Sequence, residues 1–352
     1  MNLSEPTKKR LKKILFILTT LVIGLFLVLT LFLLWTKYVV HKEKMVYINT
    51  PDNTVQIETN INKMEFFPVS VDPINKKIVE DPTLNAYLEN HLSLNDYNKY
   101  RKDRWFDRLL AKLSESSIYQ QLASPRSRIL VIYPGERKEE VVKNFGDILR
   151  WNKEQRKTFS EQVTKSEPLL EDGKFFPGRY VVDTKITPEA TAELVNTRFV
   201  SEILNKYNDT VANKVPLQDA LTIASLLERE AYDFTDMRQI SGVIWNRLFV
   251  DMPLQIDASL QYVRGSKATE SKWWPTPRPA DKFLKSPYNT YKNTGLPPTP
   301  IANPSVEAVV AALNPEITSC MFYFHDTEGG FHCTDTYEEH VTELKKIYGQ
   351  GM

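Results

Sequence analysis

The chain has 352 residues, with 45 Lys plus Arg against 44 Asp plus Glu and a formal net charge of +1. That balance lacks the basic excess of a general nucleic-acid binder, and two cysteines cannot form a disulfide scaffold. The length suffices for one large domain plus an appended segment, and a mean hydropathy of −0.36 excludes a multi-span transporter.

Residues 14–34 carry no charge. Twenty-one residues at ~1.5 Å each reach about 31 Å, the thickness of a bilayer core. Lys8, Lys9, Arg10, Lys12 and Lys13 precede this run, and Trp35 and Tyr38 follow it. Basic residues also follow (Lys37, Lys42, Lys44), which weakens the charge contrast. A cleaved signal peptide would have a shorter apolar region ending in a small-x-small site, whereas this run ends in LWTKYVV. The expectation is a single transmembrane helix over 14–36. Residues 1–13 are then a cytoplasmic tail, and the remainder lies on the far side of the cell membrane.

Residues 43–127 are polar and read as a membrane-proximal region. Short strands flank a turn at Pro51–Asn53, and a mixed-charge helix follows over 94–122. At Arg128 the pattern changes. A compact strand ends at Pro134–Gly135, and a helix then places Val141, Val142, Phe145 and Leu149 on one side. A second helix, a turn and a strand complete a small α/β unit over 128–190. It serves either packing or glycan binding.

The chain then reads as mainly helical to Tyr262, opening on Thr187–Pro188 as cap and first-turn proline. Pro216 fits the first turn of the next helix. There Leu217, Ala220, Leu221, Ala224, Leu227 and Ala231 form an apolar arc. Glu228 falls inside that arc and Glu230 at its edge. A carboxylate in apolar surroundings is costly when charged, so it holds its proton as a general acid must. The alternative is that Glu228 pairs with a buried Arg or caps a backbone group.

Ile240, Val243, Ile244 and Leu248 make a core face, with Asn246 and Arg247 between them. Gln255, Asp257, Ser259 and Gln261 alternate with Leu254, Ile256, Ala258 and Leu260, a period-two pattern that predicts an extended run with one polar face. Pro and Gly then dominate. Tyr288, Asn289, Thr290 and Tyr291 stand between Pro287 and Gly295, as suits a rigid cleft wall. Trp273 and Trp274 could stack on sugar rings or cover a core edge.

Asn303–Pro304 predicts another cap and first-turn proline, residues 321–327 a strand, and the closing stretch a helix ended by Gly349. Cys320 and Cys333 either bridge or stay free and buried. His325, His332 and His340, near Asp326 and Asp335, match no zinc spacing. HExxH, GxSxG and P-loop motifs are lacking, so no metal or cofactor is expected.

Several stretches occur together in one order. They are Pro134–Gly135, DGKFFPGRY at 172–180, ASLLERE at 224–230, Asn246–Arg247–Leu248, MPLQIDAS at 252–259, SPYNTYKNTGLPPTPIANPS at 286–305, and EEH ending at His340. Over roughly 128–348 the chain resembles the MltG/YceG-like family, the endolytic murein transglycosylases. The resemblance implies an α+β chain with an N-terminal transmembrane helix. A LysM-like unit over 128–190 and a mainly helical catalytic domain with short strands over 191–350 follow. It implies Glu228 as the catalytic residue, ending the AS-x-x-E element. Gln255, Asp257, Ser259, Tyr288, Asn289, Tyr291 and His332 are the expected substrate contacts, with Glu230, Asn246, Trp273 and Trp274 secondary.

The implied reaction cleaves the MurNAc–GlcNAc β-1,4 bond of peptidoglycan strands, leaves a 1,6-anhydroMurNAc end and limits strand length. Peptidoglycan synthases or division and elongation proteins are the implied partners. The alternatives are a glycoside hydrolase using Glu228 and Asp257, or a non-enzymatic wall-binding scaffold. The chain departs from the family where Asp257–Ala258–Ser259 replaces an Asp-Pro-Thr run, where Thr299 replaces glycine, and where Gly178–Arg179–Tyr180 replaces a DTY element. Phe331 stands where a histidine usually follows the last glycine pair, with His332 one place later.

Overall fold

A computed structural model describes residues 65–88, 127–165, 170–267 and 269–349, with the single positions 13, 19, 20, 23, 24, 28, 30 and 31. It is a mixed α+β fold with a mainly helical body and short strands.

The first described segment forms a small antiparallel hairpin, β1 (Val71–Asp72) and β2 (Lys77–Ile78), followed by α1 (Pro82–Leu88). Its backbone is tied to the body: Ser70 N donates to Leu313 O at 3.1 Å and Phe67 N to Lys206 O at 2.9 Å. Phe67, Val71 and Leu88 are buried in the main hydrophobic core. The strands expected around Pro51–Asn53 and the helix over 94–122 lie outside the described residues.

Next comes a strand–helix–helix–strand unit. β3 (Ser127–Ile132) pairs antiparallel with β4 (Gly178–Asp183), from Ser127↔Asp183 to Ile132↔Gly178. Between them run α2 (Lys138–Leu149) and α3 (Lys153–Thr164). Arg150 in left-handed conformation ends α2, and the Asn152 side chain caps α3 by accepting from Gln155 N. Val141, Phe145 and Leu149, one helical turn apart, bury against Phe159, Phe175 and Tyr180 in a second core. Each buried Phe contributes roughly 1.5–3 kcal/mol. Next, α4 (Pro188–Glu202) is capped by Thr187, which accepts from Ala190 N at 3.2 Å, with Pro188 in the first turn as expected. Ala192 and Val195 of α4 belong to the second core and Phe199 to the main one, so this helix joins the two.

The body is α5 (Asp209–Lys214), α6 (Leu217–Glu230), α7 (Phe234–Phe249), α8 (Asp257–Gly265), a 3-10 turn (Pro279–Phe283) and α9 (Val306–Leu313). α6, α7 and α9 pack mutually, and every residue of α6 from Ala220 to Glu228 is buried. Pro216 stands at the N-cap, one place before α6 begins. The extended run expected at 254–261 is instead the start of a helix. Ile256, Leu260 and Arg264 recur every fourth residue and are buried, so the helical period overrides the short alternation. Ser305, not Asn303, caps α9, accepting from Ala308 N at 3.2 Å. Asn303 is spent elsewhere: its Oδ1 accepts from Phe175 N at 3.0 Å and its Nδ2 donates to Glu136 O at 2.8 Å.

A terminal hairpin, β5 (Phe322–His325) with β6 (Phe331–Thr334), precedes α10 (Tyr337–Tyr348), which ends at left-handed Gly349. Cys320 and Cys333 are disulfide-bonded across the base of this hairpin, with Cα atoms 5.7 Å apart. Replacing both by Ala should cost about 3 kcal/mol, the loop-closure value for a short loop. Thermal unfolding measures the loss, and alkylation of the unreduced parent should label neither cysteine.

The expected transmembrane helix over 14–36 is corrected. Among the described residues no helix is long and apolar enough to cross a membrane. The apolar run itself lies largely outside those residues. Hydropathy counts side chains, whereas a span needs one continuous helix whose backbone groups are all internally bonded. The cytoplasmic tail, the single-pass topology and the membrane localisation rested on that helix and are withdrawn with it.

Polar groups seal the junction between the βααβ unit and the helical body. Asp172, 1% exposed, accepts from Lys138 N at 2.7 Å and Tyr262 OH at 2.8 Å. The Arg137 guanidinium lies 4.2 Å from the Tyr262 ring centre. Burial, reinforced by Glu139, pushes the Asp172 carboxyl up to about 6. A raised folded-state value means stability that is fully present below the unfolded value and lost as pH rises through the folded one. Unfolding free energy should therefore lose about 3 kcal/mol from this group between roughly pH 4 and pH 6. Comparing the pH dependence of parent and Asp172→Asn by denaturant titration checks it, since the variant should lack this step.

Candidate active site

The last turn of α6 sends three consecutive side chains in three directions. Residues two apart on a helix are about 200° apart around the axis, so Glu228 and Glu230 cannot face one pocket. Glu228 faces α9, where its Oε2 accepts from Ser305 N at 3.0 Å and Ser305 Oγ at 2.7 Å. It is 8% exposed and sits at the N-terminus of α9, where N–H groups and the helix dipole favour an anion. Arg229 lies over Trp274, 3.9 Å from the ring centre. The Pro134–Gly135 turn presses against these two residues. Gly135 has φ 81°, and a Cβ there would lie 3.2 Å from Arg229 Nη1 and 3.5 Å from Glu228 Cγ.

Glu230 faces α8 and β5. Its Oε1 accepts from Ala258 N at 3.3 Å, a first-turn N–H of α8, and its Oε2 accepts from Tyr323 OH at 3.3 Å. Unlike Glu228 it is only half-buried. Burial pushes its carboxyl above the usual range, and neighbouring Asp257 pushes the same way, against the Ala258 N–H. Tyr323 is pushed well above the ordinary phenol value, first by burial and then by Glu230. It therefore keeps its proton and acts as a donor.

Asp257 is exposed at the first position of α8, where its Oδ1 accepts from Tyr291 OH at 2.7 Å. The Tyr291 hydroxyl is raised, first by burial and then by that bond. Thr290 holds the turn ahead of α8: its carbonyl accepts from Gln255 N and its Oγ1 from Ile256 N, both at 3.0 Å. Gln255 is exposed there and takes a left-handed φ of 53°. Such backbone is costly for a non-glycine residue and is concentrated at functional sites.

The structure brings Glu230, Asp257, Tyr291 and Gln255 to one region. Other expected contacts lie inside the scaffold. Ser259 is fully buried, donating to Ile256 O and touching Thr290 Oγ1. Asn289 is fully buried, with Nδ2 donating to Lys282 O and Leu284 O. Asn246 Nδ2 donates to Thr318 O and Cys320 O, anchoring the terminal hairpin. Tyr288 OH meets Thr299 Oγ1 at 2.7 Å, the position where this chain departs from the family glycine. Trp274 Nε1 donates to Glu140 Oε2, and Trp273 lies 5.6 Å from the Arg137 guanidinium, so both indoles border the junction.

His332 shares its hairpin face with Phe324, its cross-strand partner, and bonds Asp326 Oδ2 at 2.8 Å. That bond first, and then the Gly330 and Glu328 N–H groups, lower the Asp326 carboxyl to about 2. Alternation along a strand puts Tyr323 and His325 on the opposite face, with Phe331 directly across from His325. The imidazole on the Glu230 side of the hairpin thus comes from β5. Sequence reasoning missed Tyr323, His325, Asp236 and Ser305 as parts of this region. The period-two spacing of Tyr323 and His325 was the one available signal.

The fold and these motifs define a family. The YceG-like family profile matches residues 84–346, three quarters of the chain, and the chain belongs to that family. It is 33% identical over 203 residues to the endolytic murein transglycosylase of Bacillus subtilis, covering 54% of this chain and 53% of that one. It is 30% identical over 203 residues to the protein of that name from Streptococcus pneumoniae strain D39, covering 53% of this chain and 37% of that one. The chain thus matches about half or less of these relatives' lengths. A crystal structure of a yceG-like protein from Listeria monocytogenes superposes with a TM-score of 0.54 at 22% identity, covering 80% of this chain and 97% of that one. That likeness concerns the fold.

Proposed function

We propose that this chain cleaves peptidoglycan glycan strands as a lytic transglycosylase, with Glu230 as acid and then base. The observation that carries the reading is the environment of Glu230. It is a half-buried carboxyl pushed above its usual range by burial and by Asp257, beside the exposed Asp257 at the start of α8. Glu228, which the AS-x-x-E resemblance implies, has one oxygen engaged by both Ser305 donors at the start of α9. The names of the Bacillus and Streptococcus relatives supply the substrate class.

Protonated Glu230 gives its proton to the glycosidic oxygen between MurNAc and GlcNAc, and the C1–O bond breaks with the electron pair leaving on that oxygen. Positive charge develops at C1. Ionised Glu230, steadied by the Ala258 N–H and the Tyr323 hydroxyl, then takes the proton of the C6 hydroxyl of the same sugar. That oxygen attacks C1 and closes the 1,6-anhydro ring. An internal nucleophile gains several kcal/mol from proximity, so one carboxyl can serve where hydrolases use two. Asp257, Tyr291 and Gln255 are assigned to holding the sugar, and the βααβ unit to binding the strand as a LysM-like module.

A second reading is favoured by Asp257 standing near Glu230: a hydrolase in which the two carboxylates work as a pair. Digestion of purified peptidoglycan by the full chain separates the two. Anhydro ends, one water lighter, support the transglycosylase, and reducing ends support the hydrolase. Strands bound yet left intact reject both.

A further inference from the structure

Beside Glu230 stands a second carboxylate–imidazole unit that the mechanism above does not use. Asp236, in the first turn of α7 and 5% exposed, meets His325 Nε2 with Oδ2 at 2.9 Å and Oδ1 at 3.0 Å. Asp236 Oδ2 also accepts from Tyr232 N at 2.7 Å, which fixes the carboxylate where α6 turns into α7. The Tyr232 ring meets the imidazole edge-on at 4.7 Å, and Phe331 meets it from the opposite strand at 5.7 Å. Tyr348 of α10 donates to the His325 carbonyl. The ring is therefore held from α7, from β6 and from its own backbone.

We propose that His325, oriented by Asp236, is a positioning residue of the Glu230 site. It pins β5 so that Tyr323 OH reaches Glu230. The inference rests on the Glu230 reading above. Its geometric basis is strand alternation: Tyr323 and His325 lie two residues apart on the same face of β5, one bonded to Glu230 and the other to Asp236. Moving His325 off Asp236 would shift the strand that carries Tyr323.

The groups facing Glu230 are Asp257 from α8, Tyr323 and His325 from β5, and Tyr291 from the loop before α9. Arg247 of α7 lowers Tyr323 against the effect of burial and Glu230. Among these, burial, the Ala258 N–H and Asp257 act most strongly on Glu230, while His325 favours release of its proton.

The test uses the full chain on purified peptidoglycan, following anhydro-end formation against pH. Activity requires protonated Glu230, so the alkaline limb marks its ionisation. Removing a group that lowers the Glu230 carboxyl makes the acid keep its proton longer. His325→Gln should therefore move the alkaline limb upward by roughly a few tenths of a pH unit, since His325 acts on Glu230 less than burial, Ala258, Asp257 or Tyr323, and should lower kcat. Asp236→Asn releases the imidazole from its partner and should lower kcat likewise, which keeps the test intact if one variant folds poorly. Parent-like kcat in both folded variants, or a parent-like limb in folded His325→Gln, overturns the proposal, including the case where only the melting temperature falls. Full activity in Glu230→Gln overturns the underlying reading instead, so the two failures are distinct.

Discussion

Glu230→Gln should lose about two to four orders of magnitude in strand cleavage while remaining folded, the range removed with a positioned general acid. The amide matches the carboxyl in size, and its oxygen can still accept from Ala258 N or Tyr323 OH. What it cannot do is give and retake a proton. The raised carboxyl of Glu230 also fixes the sign of the stability effect. Its contribution is present at low pH and lost as pH rises through the folded value. At neutral pH the parent carries that penalty and the neutral Gln variant does not. The variant should therefore melt no lower than the parent, which separates loss of chemistry from loss of fold. Rate and melting temperature on the same preparation are the two measurements. Undiminished anhydro ends would remove Glu230 from the acid's role.

Glu228→Ala should do the reverse, costing stability of about 2–4 kcal/mol while each folded molecule keeps its rate. The change leaves Ser305 N and Ser305 Oγ without their buried acceptor, a loss of roughly 1–3 kcal/mol for an unsatisfied group. Ser305 still caps Ala308 N, so α9 itself should persist. Denaturant unfolding gives the free energy, and cleavage normalised to folded protein gives the rate. If Glu228→Gln melts like the parent and yet makes no anhydro ends, the acid is Glu228, as the AS-x-x-E resemblance implies.

By itself the sequence determined the family, because long motifs in a fixed order survive without knowledge of their contacts. It also determined the elements whose signals are local. The strand ending at Pro134–Gly135, the Thr187–Pro188 cap and the Gly349 stop depend on backbone preferences of a few adjacent residues. The pairing of Cys320 with Cys333 stayed open until the hairpin register set their separation. The apolar run at 14–34 lies largely outside the described residues, and among those residues no helix is long and apolar enough to span a membrane.

Tertiary structure alone decided which carboxylate faces what. The arc on α6 pointed to Glu228 as the buried glutamate, and it is buried; but from Ala220 to Glu228 every residue is covered, so burial could not single out a reactive group. The distinguishing partners come from far along the chain: Ser305 for Glu228, and Ala258 and Tyr323 for Glu230. The same holds for Asn289, Ser259 and Asn246, whose polar side chains look available in sequence and are consumed by backbone groups in the fold. A buried polar group must find a partner, and a linear pattern does not show whether that partner is a ligand or the protein's own main chain.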